Sequence, residues 1–290
     1  MPDAVFIPAE ASPGAGSGGV AAAVGSPPAA VGSPPAAERF VATDLARGPW
    51  DPGAQHGGAP AALLVRAFER LPGGEQLILA RVTYELLRPV PLGALEVRAE
   101  VVRPGRRVQL LEASLRTEDG VEVMRARALK VQRSDAASFE VEALLPTATS
   151  PADGRANDYP SPAGPMFATD AMDIRFTSGA FLERGAATAW FRLRHPLVAG
   201  EIPSPLQRLA AAADFGNGIS AVLPWGDYVF INPDLTIYLE RAPVGEWFLL
   251  DSETRLGHEG IGVTESLIYD DQGRVGRATQ ALLVTSRVAT

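Results

Sequence analysis

Two stretches of this chain, residues 82–131 and 235–284, repeat one another in an ordered series of identities. The first matches are Thr83 with Thr236 and Arg88 with Arg241. The series continues with Ser114-Leu115 and Ser266-Leu267, Gly120 and Gly273, and Ala128-Leu129 and Ala281-Leu282. A unit of this length is a whole domain rather than a solenoid repeat. The repeat therefore predicts two copies of one domain.

Bulk composition excludes several classes of protein. The 290 residues correspond to about two domains at ~150 residues each. A net charge of −8 argues against a nucleic-acid partner. The absence of cysteine excludes disulfides, thiolate metal sites and a cysteine nucleophile. No early apolar run has a basic flank, so neither a signal peptide nor membrane insertion is expected, and a soluble cytoplasmic protein is the default.

Two segments have the composition of irregular chain. Residues 1–37 are rich in Ala, Gly, Ser and Pro, with AVGSPPA in tandem, and are predicted to form a disordered tail. Within them, residues 14–19 match GxGxxG, but no strand precedes the match, so it does not indicate a dinucleotide site. Residues 134–165 are predicted to be a linker. The remaining residues form two domains, 38–133 and 166–290.

Both domains follow the same order of predicted elements. In the first, a strand at 39–45 and a helix at 61–71 precede strands at 77–88, 94–103, 106–117 and 121–132. In the second, strands at about 170–178 and 186–195 and a helix near 204–215 precede strands at about 228–240, 246–256, 261–270 and 274–286. This order predicts an α+β class and a hotdog fold, a curled antiparallel sheet around one apolar helix. Two such domains in one chain make a double hotdog fold. The alternative is two unrelated α+β domains, which the repeat disfavours.

Asp214 is the first candidate for chemistry. It ends the second predicted helix, whose interior reads LAAAA. The negative end of the helix dipole and burial would both raise the pKa of its carboxyl, which suits a general base near neutral pH. Alternatively, Gln207, Ala211 and Asp214 have helical spacing and would form a solvent-facing stripe. The pattern leaves both interpretations open.

Two amides and a glycine turn are further candidates. Alternation in the last strand places Gln280 on the face of Ala278 and Leu282, where a buried amide needs a partner. It could orient a water, but such a residue more often caps a strand or bonds to the backbone. Asn232 precedes Pro233, which is typical of a turn. The turn at His56, Gly57 and Gly58 precedes the first helix, and free N–H groups there would suit an oxyanion; a plain loop-to-helix turn explains it equally.

Other motifs are missing. There is no GxSxG sequence and no P-loop, and His56, His195 and His258 have no metal-binding spacing. No metal site is therefore expected.

Four segments together resemble the double-hotdog acyl-CoA thioesterases of the thioesterase II type, especially their actinobacterial members. They are HGGAPAALL, PLQRLAAAADFGNG, FINPDLTIYLERAPVGEW and GRATQALLV, and the resemblance covers about residues 38–287. It implies hydrolysis of an acyl-CoA to a fatty acid and coenzyme A without a metal or redox cofactor. By analogy it also implies a homo-oligomer.

The resemblance implies a catalytic site in the second repeat. By position, the family's Asp falls on Asp214 and its Gln on Gln280. The family's hydroxyl residue falls on Asn232, a departure, because an amide binds water but cannot relay a proton as a hydroxyl does. Thr236 is a second candidate for the hydroxyl and a predicted substrate-binding residue, together with His56, Gly57 and Gly58.

The first repeat is expected to be catalytically silent. By helix alignment, Glu69 is the counterpart of Asp214, and Arg127 takes the position of the catalytic Gln. In the implied mechanism, Asp214 deprotonates a water held by Gln280 and Asn232, and helix-start N–H groups meet the oxyanion.

Two other functions compete with this hypothesis. A hotdog enoyl-CoA hydratase is disfavoured, because no Asp-to-His spacing precedes Asn232-Pro233. A non-catalytic acyl or acyl-CoA binding protein would explain the departure at Asn232.

Overall fold

The computed structural model describes residues 2–9, 37–73, 76–134, 150–159 and 164–287. The tandem AVGSPPA segment and the GxGxxG match lie outside the described residues, as does most of the predicted linker. Within the described residues, no helix is long and apolar enough to cross a membrane.

The first repeat is a strand, a helix and four further strands, and an N-terminal strand precedes it. These elements are β1 (Phe6–Ala9), β2 (Glu38–Ala42), a 3₁₀ turn at Asp44–Ala46, α1 (Gly58–Arg70), β3 (Leu77–Leu86), β4 (Gly93–Arg103), β5 (Val108–Thr117) and β6 (Glu122–Gln132). Of the last four strands, β3 pairs with β6 rather than with β4.

The second repeat has the same order with additional short elements. They are a 3₁₀ turn at Pro151–Asp153, β7 (Arg155–Ala156), a π-helical turn at Phe167–Ala171, β8 (Met172–Ser178), β9 (Ala187–Leu193), α2 (Pro205–Ala213), α3 (Gly216–Ile219), β10 (Tyr228–Ile231), β11 (Asp234–Leu239), β12 (Trp247–Leu256), β13 (Ile261–Asp270) and β14 (Gly273–Ser286).

One antiparallel sheet runs through both repeats. Its order is β1-β2-β4-β5-β6-β3-β11-β14-β13-β12-β9-β8-β7, and β10 also pairs with β14. At the junction of β3 and β11, Thr83 lies directly opposite Thr236, with 3.3 Å between the two hydroxyl oxygens. These are matched residues of the repeat, so an approximate twofold axis passes between them. The predicted double hotdog is confirmed.

The two helices pack against each other in opposite directions inside the curled sheet. Glu69 near the end of α1 accepts a hydrogen bond from Ser204, the N-cap of α2. At the other end, Gly58 lies against Ala211, and a Cβ added to Gly58 would lie 2.3 Å from the Ala211 carbonyl oxygen. The close contact therefore requires glycine at the start of α1.

Helix α1 is enclosed over most of its length, as its apolar sequence predicts. All its residues from Gly58 to Phe68 are buried. Arg66 is included, and its guanidinium pairs with Glu38 at 2.9 Å and with Glu201 at 2.7 Å. Because Glu38 and Glu201 belong to different repeats, this buried cation helps to join them.

The prediction of a disordered tail is wrong for residues 2–9. Phe6–Ala9 form β1, antiparallel to β2, and the side chains of Val5 and Phe6 are fully buried. The Phe6 N–H also donates to the Leu197 carbonyl of the second repeat. This short apolar run buries enough surface and makes enough hydrogen bonds to offset its ordering entropy.

Several predicted boundaries also need correction. Part of the predicted linker is ordered, because Arg155–Ala156 pair with β8. The strand predicted from residue 170 begins at Met172, after the π-helical turn. The long strand predicted over 228–240 divides into β10 and β11, since Pro233 has no N–H to continue the ladder. The second helix ends at Ala213, and α3 follows it.

The match between Arg127 and Gln280 is wrong. In the first repeat, Thr83 lies opposite Arg127. In the second, its counterpart Thr236 lies opposite Thr279. Arg127 therefore corresponds to Thr279, and Gln280 corresponds to the residue after Arg127. A one-residue change of register moves a side chain to the other face of a sheet.

Ala128 consequently occupies the position of Gln280 in the first repeat. Both side chains are buried on the inner face of the sheet, whereas Arg127 points outward and pairs with Glu112. The first repeat thus has a methyl group where the second has an amide.

Candidate active site

A cavity of about 330 Å³ opens beside the start of α1 and the end of α2, between the two repeats. Its buried wall is apolar and includes Met166, Ala168, Phe181 and Phe215. Its exposed rim includes Asp51, Leu87, Arg88 and Pro89.

Few polar side chains converge on this cavity. They include His56, Asp214, Asn217 and Asn232. An apolar pocket with a few convergent polar groups is the usual form of a small-molecule site. A larger open groove of about 780 Å³ on the outer face of β4–β6 is lined mainly by Glu and Arg side chains, many of which pair with one another, so it lacks these features.

Asp214 is buried at the end of α2 and lines the cavity. Its residue is 6% exposed. Gln207 and Ala211 are also buried, so the interpretation of these three residues as a solvent-facing stripe is wrong. The stripe instead packs against α1, where Gln207 Nε2 donates to Glu69 at 2.7 Å.

Two amides hold one oxygen of the Asp214 carboxyl. Asn232 Nδ2 donates to Oδ1 at 2.8 Å, and Gln280 Nε2 does so at 3.3 Å. Burial raises the pKa of Asp214 to about 7, although hydrogen bonds from Asn232, Gly58 and Gln280 lower it in part. A carboxyl with this pKa is divided between its acid and its base form near neutral pH.

His56 lies against the other oxygen of the same carboxyl. Its Nδ1 is 3.2 Å from Asp214 Oδ2 and accepts the Gly58 N–H at 3.1 Å. The imidazole is stacked on Phe215 at 4.1 Å between ring centroids. Burial lowers the pKa of His56 to about 3, so the ring is neutral and the contact is not an ion pair.

Gln280 lies behind Asp214 rather than in the cavity. Its Oε1 accepts the Asn217 N–H at 3.1 Å, and its Nε2 contacts both the backbone oxygen and Oδ1 of Asp214. The residue is 2% exposed and does not line the cavity. From these contacts we expect its amide to position the carboxyl rather than to hold a water.

Asn232 does line the cavity, and its position follows from the proline after it. It occupies the break between β10 and β11, where its Nδ2 donates to Asp214 and to the Asp234 carbonyl at 3.1 Å. The turn interpretation and the site interpretation are thus compatible. No hydrogen bond to Asn232 Oδ1 is found within the described part of the chain, so this atom can accept one from a ligand.

Of the two glycines after His56, one offers a free donor. The Gly58 N–H is used by His56 and Asp214. The Gly57 N–H has no partner among the residues that the structure describes, and Gly57 lines the cavity. Of these two predicted oxyanion donors, the Gly57 N–H is therefore the one that remains available.

Thr236 is not brought to the cavity. In β11, Leu235 and Ile237 point inward and are buried, so alternation turns Thr236 to the other face. Its hydroxyl meets Thr83. It can act neither as the missing hydroxyl nor in substrate binding at this cavity.

Glu69 is the counterpart of Asp214 in the structure, but the surroundings of the two carboxyl groups differ. Glu69 occupies the twofold-related place at the other end of the helix pair, where its carboxylate accepts hydrogen bonds from Ser204 and Gln207. It is exposed, whereas Asp214 is buried.

The sequence reasoning missed the aromatic wall of the cavity. Trp50 of the first repeat stacks on Trp225 of the second, with ring centroids 4.8 Å apart. The Trp225 indole N–H donates to the Phe181 carbonyl at 3.0 Å, and Tyr159 packs on the Phe181 ring. These residues lie in four separate loops, and no local periodicity marks them.

In the described ranges, no group of three or more His, Cys, Asp or Glu residues is arranged to hold a metal ion.

Family models for the N-terminal and C-terminal domains of acyl-CoA thioesterases match residues 46–131 and 145–284, respectively. None of the curated proteins compared with this chain matches it.

Several solved structures share the fold. A hot dog protein of unknown function from Alicyclobacillus acidocaldarius has a TM-score of 0.68 at 18% identity, covering 88% of this chain and 94% of that one. A candidate thioesterase from Novosphingobium aromaticivorans has a TM-score of 0.64 at 23% identity, covering 84% and 94%. The acyl-CoA thioesterase II TesB2 of Mycobacterium marinum has a TM-score of 0.60 at 17% identity, covering 88% and 93%.

At these identities the structures establish the fold, and the two domain matches establish the family. The matched N-terminal and C-terminal domains follow one another in the order of the internal repeat. The chain therefore belongs to the acyl-CoA thioesterase family and has a double hotdog fold.

Proposed function

We propose that this protein hydrolyses acyl-CoA thioesters to a fatty acid and coenzyme A in the cavity beside Asp214. The observation that carries the proposal is a buried carboxyl with a pKa of about 7 that lines a mostly apolar cavity. Such a carboxyl can take a proton from water near neutral pH. Membership of the acyl-CoA thioesterase family supports the choice of substrate.

The attacking water lies between Asp214 and Asn232 in this mechanism. It donates one hydrogen to the Asp214 carboxylate and the other to Asn232 Oδ1, which leaves an oxygen lone pair directed at the thioester carbonyl. The role of Asn232 is then to accept a hydrogen bond and to donate another to Asp214. Neither role needs a hydroxyl, so asparagine is compatible with catalysis.

Proton transfer and carbon–oxygen bond formation accompany each other. The water oxygen attacks the carbonyl carbon while its proton passes to Asp214. Of the two carboxyl oxygens, Oδ2 is the better site for the proton, because Oδ1 already accepts hydrogen bonds from Asn232 and Gln280. The Gly57 N–H donates to the oxyanion of the tetrahedral intermediate. The carbon–sulfur bond breaks and the coenzyme A thiolate leaves. The proton held by Asp214 passes to the thiolate, which restores the carboxylate.

Thiol release from short, medium and long acyl-CoA substrates tests the proposal. The wild-type protein is expected to release coenzyme A, and Asp214→Asn is expected to lose at least about 10³-fold in kcat. The ratio kcat/KM should rise with pH through about 7, because the base form of Asp214 is required. Asp271→Asn, in an exposed turn, is the matched control and should keep full activity.

Full activity in Asp214→Asn would refute the assignment of the base. Binding of acyl-CoA without turnover would support the alternative of a binding protein, which the absence of a hydroxyl at Asn232 suggests. Water addition to an enoyl-CoA, without thiol release, would support the hydratase.

A further inference from the structure

Arg88 lies at the mouth of the candidate active site. It belongs to the exposed rim of the cavity, two residues after the end of β3. The opposite end of the cavity is apolar and buried, so an acyl chain fits that end. The polar part of a bound thioester substrate must then extend out of the cavity past the rim.

The internal repeat shows that Arg88 has a counterpart at Arg241. The Leu87 N–H donates to the Val123 carbonyl, and the Glu240 N–H donates to the Val275 carbonyl. Leu87 and Glu240 each precede one of the two arginines. The two arginines therefore occupy equivalent backbone positions in the two repeats.

Arg241 is committed to its own domain. Its guanidinium pairs with Asp270, a fully buried carboxylate, and donates to the carbonyl oxygens of Arg274 and Gly273 at 3.1 and 2.9 Å. The same carboxylate accepts the Val244 N–H at 2.9 Å. In the second repeat this arginine thus ties together the loop after β11 and the β13–β14 turn.

The first repeat lacks that carboxylate. Asp270 pairs with Gly273 at the end of β13, and Thr117 holds the equivalent place at the end of β5, where its N–H donates to the Val121 carbonyl. The Thr117 hydroxyl contacts Asp119. No ion pair of Arg88 is found in the part of the chain that the structure describes, so its guanidinium is available to a ligand.

The net charge of the protein favours a cation at the mouth. Coenzyme A carries several phosphate charges, and the chain has a net charge of −8, so the overall field opposes its approach. Asp51, an acid on the same rim, uses its Oδ1 to accept the Gly53 N–H at 2.7 Å. A guanidinium binds phosphate oxygens in a bidentate manner.

We propose that Arg88 binds the phosphate groups of the coenzyme A portion of the substrate. Arg88 and Arg241 occupy equivalent positions, and the first repeat uses its copy to bind the ligand that the second repeat hydrolyses. This inference rests on the proposed function for the identity of the substrate. It makes Arg88 a substrate-binding residue with no part in the chemical step.

The test compares Arg88→Gln and wild type on two thioesters with the same acyl chain. One is hexanoyl-CoA, and the other is hexanoyl-N-acetylcysteamine, which lacks every phosphate. With hexanoyl-CoA the variant should show a KM raised about 10- to 100-fold, the usual cost of a lost charge-assisted hydrogen bond, and an unchanged kcat. With the truncated thioester the two proteins should have the same kinetics.

Arg255→Gln is the matched control, because Arg255 is an exposed arginine paired with Glu253 and Glu265 on the outer face of the sheet. Its KM for hexanoyl-CoA should equal that of wild type. An unchanged KM for hexanoyl-CoA in Arg88→Gln would overturn the proposal. An equal loss on both thioesters would also overturn it, since the effect would then not depend on phosphate.

Calorimetric binding of S-hexyl-CoA, a thioether that cannot be hydrolysed, separates this inference from the proposed function. If wild type hydrolyses no thioester, the proposed function fails. In that case, a dissociation constant raised about 10- to 100-fold by Arg88→Gln still supports the phosphate site, and an unchanged constant refutes it.

Discussion

Replacing Asp214 with asparagine is expected to change how stability depends on pH, in addition to removing turnover. Burial raises the pKa of Asp214 from 3.8 to about 7 in the folded protein, whereas the unfolded chain exposes the carboxyl to water. Between these two pKa values the folded state binds more protons than the unfolded state. The free energy of unfolding therefore falls as pH rises, until the folded pKa is passed. Asparagine is neutral at every pH and removes this contribution.

The size of the effect follows from the two pKa values. Between about pH 5 and about pH 8.5, Asp214 should cost the wild type about 2 to 3 kcal/mol of its free energy of unfolding, at 1.36 kcal/mol per pKa unit. Asparagine suits the site. Its Oδ1 can accept from Asn232 and Gln280, and its Nδ2 takes the place of Asp214 Oδ2 beside His56 Nδ1.

Urea unfolding of both proteins at the two pH values measures this contribution. Groups other than Asp214 titrate in both proteins, so their effects cancel in the comparison. Asp214→Asn should resemble wild type near pH 5 and exceed its stability by about 2 to 3 kcal/mol near pH 8.5. Asp271→Asn should follow wild type throughout. Parallel pH dependence in wild type and Asp214→Asn would show that the carboxyl is not held in a desolvated site.

Three other substitutions test particular contacts. Asn232→Ala removes a water acceptor and a donor to the catalytic carboxyl, so kcat should fall about 10²-fold; steady-state kinetics within a few-fold of wild type would contradict the proposed water site. Gly216→Ala would put a Cβ 2.6 Å from Ser266 Oγ, and urea unfolding should show a loss of about 1 to 3 kcal/mol; Gly226→Ala, with open space around it, should cost little. Trp225→Ala should enlarge the cavity and shift kcat/KM toward longer acyl chains, by about fourfold per additional buried methylene; an unchanged preference would show that the acyl chain does not contact this indole.

The order of elements could be read from the sequence because it depends on near neighbours. Alternation along a strand and the spacing of apolar residues in a helix follow from backbone geometry. This is why the double repeat, the enclosed α1 and the inward face of Gln280 were predicted correctly. The antiparallel pairing of β3 with β11, in which Thr83 lies opposite Thr236, then follows from the repeat, because these two matched strands lie side by side at the twofold axis.

The errors arose where a distant partner decides the local structure. Phe6–Ala9 are ordered because β2 and the chain near Leu197 lie beside them, although they precede a stretch of Ala, Gly and Pro. The counterpart of Gln280 was misidentified as Arg127 because sequence matching cannot resolve a shift of one residue, whereas strand pairing can.

The sequence by itself determined that the chain has two related domains and that Asp214 and Asn232 are candidates for chemistry. Tertiary structure alone decided what these residues contact. His56 reaches Asp214 because α1 and α2 run in opposite directions, and this brings the start of one helix to the end of the other. The same packing buries the carboxyl, and burial is what raises its pKa. Burial is a property of the assembled surroundings of a residue, and so it cannot be read from the residues next to it in the chain.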